Sequence, residues 1–150
     1  SHMRKTVLGS NSTSATSPAA NTLLAALPAD LRAVMKPATK YSDNTGGGHD
    51  TASYVTATQD LLPLLSEFEY FGVRTYANSA EQNYQVQYDY YKAGNSKVHY
   101  KHNATGTAAR VWCRSVDSST NRDFCLVYTD GDPAKDGAYY SWALAPCFFV

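Results

Sequence analysis

Arg114 stands in the apolar run Val111-Trp112-Cys113-Arg114-Ser115-Val116. A guanidinium in such a setting needs partners, because an unpaired charge in a low dielectric is costly. Its five donors suit it to tying backbone carbonyls and a carboxylate together, so it reads as a clamp at the base of the following loop. Asp130, Asp132 and Asp136 cluster in Asp-Gly-Asp-Pro-Ala-Lys-Asp-Gly. Carboxylates on one loop suit calcium. The run lacks the remote Glu of a helix-loop-helix calcium site, and Asp-Gly and Asp-Pro are ordinary turn chemistry. Cys113, Cys125 and Cys147 form no Cys-x-x-Cys pair, which argues against zinc. Their apolar surroundings read as buried thiols acting as small hydrophobes, with a single disulfide as the alternative. His49 falls in a loop, and His99 and His102 are three apart on or beside a strand, a poor spacing for one metal. All three read as surface residues. A nucleophile elbow, a phosphate-cradling loop and a dinucleotide fingerprint are all missing from the sequence.

The composition narrows the classes further. Among 150 residues, thirteen basic side chains balance thirteen acidic ones, so the formal net charge is zero. Nucleic-acid binding needs a basic excess, and so does attachment to an anionic membrane. No apolar run approaches the ~18 residues of a membrane span. Twelve Tyr, five Phe and two Trp make the chain 13% aromatic. Tyr offers rigid contact area with a polar tip, the property that binding surfaces favour. An aromatic β-rich core would give the same count.

The elements that must position these residues follow from pattern. Ser1-His2-Met3 resembles a cloning scar, and residues 9–20 read as a flexible segment. Asn21 is an N-cap candidate for a short helix with Leu23, Leu24 and Leu27 on one face. Pro28 opens a second helix, with Leu31, Val34 and Met35 on one face, that stops at Pro37. Residues 41–53, with Gly46-Gly47-Gly48, read as a mobile loop. Leu61–Leu65 suits a buried strand made irregular by Pro63. Ser66-Glu67-Phe68-Glu69 is a capping box, which gives Glu69 a structural task, and its helix ends near Gly72. Tyr84, Tyr88 and Tyr91 fall on one helical stripe. Strands are predicted over residues 97–102, 109–114, 124–128 and 143–150, with a turn at Asp130-Gly131. Two long polar stretches, residues 116–123 and 129–141, are predicted to be loops presented by this scaffold.

Trp112-Cys113-Arg114-Ser115 carries a resemblance. The chain resembles an uncharacterised domain family of gut Firmicutes and their phages, with a Trp-x-Arg-Ser core. Phe124-Cys125-Leu126-Val127, Asp130-Gly131 and Ala145-Pro146-Cys147-Phe148 follow in the family's order. Leu27–Leu31, Asp60–Glu69 and Tyr88–Lys92 also fit. That family looks like a relative of the C-type lectin fold, shared with formylglycine-generating enzymes and with variable proteins of diversity-generating retroelements. The resemblance implies an α+β, C-type-lectin-like domain over residues 21–150, with short helices on a twisted, mostly antiparallel sheet and long C-terminal loops. Residues 1–20 would be tag remnant and flexible segment. Glu-Pro-Asn and Trp-Asn-Asp, the lectin motifs for calcium-dependent sugar binding, are absent. Strands that usually precede this starting point imply either a C-terminal piece of a longer protein or a shortened version.

The expected function is non-enzymatic ligand binding, as a receptor-binding or surface-display domain encoded by phage or prophage and diversified by a retroelement. The expected contacts are Asp117, Ser118, Ser119, Asn121, Asp123, Tyr128, Asp130, Asp132, Tyr139 and Tyr140, with Trp112, Arg114, Phe124 and Phe148 holding the scaffold. No catalytic residue, metal or cofactor is expected. The partner would be a host-surface protein or glycan, on a virion or bacterial cell surface, with oligomerisation possible and neither nucleic acid nor membrane insertion. The alternatives are a structural virion or cell-surface subunit, and an oxidase of the formylglycine-generating type using Cys113 and Cys125.

Overall fold

The computed structural model describes residues 1–11 and 14–150. It is an α+β protein with short helices and antiparallel sheets. The chain divides into two compact units. Unit 1 comprises residues 1–40, 57–63 and 146–150, and unit 2 comprises residues 41–56 and 64–145.

Unit 1 is built around a small apolar cluster. Thr22, rather than Asn21, caps helix α1 (Leu23–Ala26), accepting from the Ala25 N–H at 3.3 Å. Asn21 takes a left-handed φ of 61° instead, a conformation Asn tolerates. Helix α2 (Ala29–Val34) starts one residue after Pro28. Leu24, Met35, Leu61, Leu62 and Ala15 are buried together, with Leu27 and Leu31 against them. The N-terminal segment belongs to this packing, which corrects the expected flexible tail. Leu8 and Ser10 are buried, the Leu61 N–H donates to Ser10 O, and Arg4 donates to Asp60. Ser12 and Thr13 of that expected tail lie outside the described residues. The predicted 61–65 strand is buried but irregular, since Pro63 has no N–H for a ladder.

Strands β1 (Ala38–Asp43) and β2 (Val55–Asp60) pair with each other, and the end of β1, residues 41–43, falls within the expected 41–53 loop. Their residues are Thr, Ser, Lys and Asp more than apolar, so period-two hydrophobicity does not mark them. In unit 2 the capping box is present as predicted. Ser66 Oγ accepts from the Glu69 N–H, Glu69 accepts from the Ser66 N–H, and helix α3 (Glu67–Phe71) ends at left-handed Gly72. The tyrosine stripe is not one helix. A 3-10 turn (Ser79–Tyr84) and helix α4 (Asp89–Lys92) are separated by extended residues. Gln85 breaks the run: its amide is buried and donates to Tyr41 O and Glu81. Tyr84 stacks on Tyr41 and Tyr91 packs on Tyr70.

Strands β3 (His99–Lys101) and β4 (Ala104–Ala109) form a hairpin. Strands β5 (Val111–Val116), β6 (Asp123–Val127) and β7 (Pro133–Gly137) form an antiparallel sheet in that order. So, among the described residues, the one expected sheet is three separate ones, and β7 occupies a stretch predicted to be loop. The predicted 143–150 strand is reduced to single bridges, Ala143 beside Val111 in unit 2 and Phe149 beside Lys36 in unit 1.

A buried polar centre fixes β5 within unit 2. Arg114 donates to Ser42 Oγ (2.9 Å), Leu64 O (3.0 Å), Tyr41 O (3.4 Å) and the Glu69 carboxylate. The expected clamp is present. It reaches back to residues 41, 42, 64 and 69 rather than to the loop that follows it. Buried Glu67 accepts the N–H groups of Thr75, Tyr76 and Ala77 at 2.9–3.0 Å. Buried Glu81 accepts from the Asp43 N–H, Ser115 Oγ and Gln85 Nε2.

Candidate functional site

The site grows from the way the chain leaves β7. Register pairs Asp123 with Gly137 and Val127 with Pro133, so Gly137 and the 117–122 turn share one end of the sheet. Ala143 then bridges to Val111 at the opposite end, on the far edge strand. Residues 138–142 therefore cross the sheet diagonally, carrying Tyr139, Tyr140 and Trp142 with them. The sequence Tyr-Tyr-Ser-Trp places three large rings on this one crossing.

These rings form a continuous run. Tyr139 and Tyr140 have centroids 4.4 Å apart, and Tyr140 stacks on Trp142 at 5.3 Å and 25°. The Arg110 guanidinium continues the run, lying 4.5 Å from the Trp142 ring centre and 4.4 Å from that of Tyr128. Asp136 accepts from both Arg110 (3.0 Å) and the Trp142 indole N–H (3.0 Å), and Arg110 also donates to the Tyr128 hydroxyl (2.8 Å). Charge-assisted bonds and cation–π contact hold this arginine over its rings. The open end is Tyr139, 79% exposed, followed by Tyr140 at 43%. The Tyr139 ring covers Gly137, where a Cβ would meet its Cε1 at 2.3 Å. The hydroxyl contact with Tyr140 holds the Tyr139 phenol above the ordinary tyrosine range.

Beside Tyr139 lies the turn between β5 and β6. Gly47 and Gly48 pack on it, against the expectation of a free loop. Gly47 takes φ +84°, and a Cβ there would sit 2.7 Å from Asp117 O and 2.9 Å from Thr120 O. The Gly48 N–H donates to Asp117 O at 2.9 Å. An open groove of about 490 Å3 is lined by this glycine loop, His49, Ser119, Asn121 and Arg122.

The ten expected contacts are thereby sorted. Asp117 is buried (1% exposed) and bound by Lys135 at 2.5 Å and by Ser119, and its hydrogen bond holds the Lys135 ammonium above the usual lysine range. Ser118 is half-buried, donating to Tyr76 O and accepting from Arg74. These two are structural, a correction that follows from tight-turn geometry: short polar side chains bond their own backbone surroundings. Ser119, Asn121, Asp123, Tyr139 and Tyr140 cluster at one end of the sheet. Tyr128, Asp130 and Asp132 lie at the other, about 13 Å of strand away, where Asp130 caps the turn by accepting from the Asp132 N–H. Of these three, only Tyr128 joins the aromatic run. Sequence reasoning missed Arg110, Trp142 and the holding role of Asp136. The adjacency of Trp142 to the tyrosine pair was the available signal.

Other titratable groups do not add to this site. Burial pushes the Cys113 and Cys125 thiols well above the usual range, as expected of small hydrophobes. Cys147 is half-buried, with its N–H bonded to Pro63 O. Burial lowers His99, which lies edge-on to Tyr70. Among the described residues no group of three or more His, Cys, Asp or Glu gathers as a metal site, and no helix is long and apolar enough to cross a membrane.

No curated protein and no solved structure matches the chain. Residues 20–150 match the family described as a domain of unknown function, DUF6273. The match covers most of the chain and all of the aromatic run and groove, so this protein belongs to the DUF6273 family.

Proposed function

We propose that this chain is a non-enzymatic ligand-binding module whose contact face is the Tyr139–Tyr140–Trp142 run. One observation carries the reading: Tyr139 is left largely open to solvent at the end of a ring-and-arginine run anchored by Asp136. A rigid aromatic anchor loses little conformational entropy on binding, and aromatic residues with arginine dominate recognition hot spots. The fold reading that goes with it is C-type-lectin-like. Its support is the α+β content, the short helices and an antiparallel C-terminal sheet with turns and a crossing segment at its ends. A receptor-binding or surface-display role for a phage or bacterial host, with retroelement diversification, is the biological form of this proposal. The oxidase alternative is poorly served by Cys113 and Cys125, because a reactive cysteine needs an accessible thiolate and burial disfavours it here.

The test is an array of purified glycans and bacterial surface proteins probed with the labelled chain and with a Tyr139→Ala/Tyr140→Ala variant. The wild type is expected to bind a defined subset, and the variant to lose it at unchanged melting temperature. Binding that ignores both tyrosines overturns the assigned face. A wild type that binds nothing overturns the module. Sequencing the locus across strains tests diversification: differences at Asn121, Tyr139 and Tyr140 support it, and differences in the buried centre count against it.

A further inference from the structure

We propose that the end of the sheet takes an anionic saccharide, with the acid group of one sugar held by Arg122 in the groove and its ring laid on Tyr139. The inference rests on the binding-module reading and names the ligand class.

The groove is lined by two basic side chains, His49 and Arg122, with Gly47, Gly48, Ser119 and Asn121 and without any carboxylate. Arg122 and Asn121 are exposed, and neither side chain has a partner among the described residues. Two of the neighbouring acids are engaged elsewhere. Asp50 accepts from the Ser79 N–H (2.6 Å) and pairs with Arg74 (3.1 Å), and Asp117 is bound to Lys135. A free guanidinium offers paired donors that match a carboxylate or sulfate ester. Asn121 can give and accept hydrogen bonds and the Thr120 hydroxyl can still donate one, as sugar hydroxyls require, while the Ser119 hydroxyl is spent on Asp117 and Lys135. The walls are already in place, since Gly47 admits no side chain and the Gly48 N–H is bonded to Asp117 O. A preformed site spends less of its interaction energy on ordering.

Tyr139 follows the residue whose backbone pairs with Arg122. The Ala138 N–H donates to Arg122 O at 2.9 Å, so the acid-binding side chain and the exposed ring flank one backbone hydrogen bond. A pyranose has an apolar C–H face for such a ring and polar groups at its rim for the groove. A polyanion fits poorly, because the chain has zero net charge and Asp123, next to Arg122, keeps a carboxylate with no hydrogen-bond or salt-bridge partner among the described residues. One acid group per contact is what this balance suits.

The experiment is titration calorimetry of the full chain. The acidic probes are sialyllactose, trigalacturonate and a chondroitin sulfate tetrasaccharide. The controls are lactose and cellotriose as neutral saccharides, and uridine monophosphate as an anion that also carries a flat ring. At least one acidic saccharide is expected to bind, each neutral control about tenfold or more weakly. Arg122→Ala should cost about tenfold or more and Arg122→Lys less, because lysine keeps the charge and loses the paired donors. Equal binding of neutral sugars, tighter binding of the nucleotide, no saccharide binding, or indifference to Arg122→Ala each overturns the inference. The parent reading fails separately. Binding of any array ligand that needs Tyr139 and ignores Arg122 leaves the module standing and removes the acid site, while binding that ignores Tyr139 removes both.

Discussion

Arg110 and Arg114 stand four residues apart on one stretch of chain, and each is held by a carboxylate. Around Arg114 the other partners are backbone carbonyls and a serine within the polar centre of unit 2, beside glutamates that are themselves buried. Around Arg110 the partners are two rings and a tyrosine hydroxyl, on a run that ends in open solvent. The same side chain is a structural tie in one region and a stiffener for a contact surface in the other. Burial decides which. A guanidinium that must satisfy its donors without water fixes the backbone around it. A half-exposed one keeps its hydration and spends its flat face on aromatic rings.

Breaking the first region should have the largest effect. Arg114→Ala leaves Glu69 buried beside carbonyls that lose their donor, and should cost about 3–5 kcal/mol, read as a urea midpoint shift. A loss no larger than that of an ordinary surface substitution would mean the centre is not closed to water. Glu67→Gln comes next. It turns amide hydrogens toward the three N–H groups of residues 75–77 and should cost ~1–3 kcal/mol, with faster amide exchange in that loop. Ser66→Ala removes the N-cap and should cost about 1 kcal/mol by thermal melting.

The pH response sharpens the contrast. Burial raises the Glu81 carboxyl above its ordinary range, with the Ser115 hydrogen bond opposing. An acid with a raised folded pKa gives stability that is present below its unfolded pKa and lost as pH rises through the folded one. Wild type should therefore lose stability relative to Glu81→Gln as pH rises above the ordinary value of 4.5. Melting-temperature differences that stay flat above that value would contradict it. The smallest stability effect belongs to the second region. Tyr139→Ala should change stability by under about 0.5 kcal/mol, while abolishing binding on the array described above.

Legibility followed how local the cause was. The capping box is complete in Ser66–Glu69, because every donor and acceptor it needs lies within four residues. The β6–β7 hairpin was half legible: Asp130-Gly131 marked the turn, but Pro133-Ala134-Lys135-Asp136-Gly137 has no apolar alternation to mark a strand. The tyrosine stripe misled for the opposite reason. Its spacing is helical, yet Gln85 is drawn in by Tyr41 O and Glu81, partners remote in the chain or in a preceding turn. Of the candidate contacts, Asp117 and Ser118 were misread because polarity in a turn does not distinguish a side chain facing water from one bonded to its own fold.

The sequence by itself determined the α+β class, the capping box at Ser66–Glu69 and the need of Arg114 for partners, since these rest on propensity, short-range hydrogen bonding and the cost of an unpaired charge. Only the tertiary structure decided that Arg110 joins Tyr128 to Trp142, that Gly47 and Gly48 wall a groove beside Arg122, and that Tyr139 stays open. Those outcomes depend on strand register and on where residues 138–142 cross the sheet, and register is set by the sum of many distant contacts rather than by any residue's own preference.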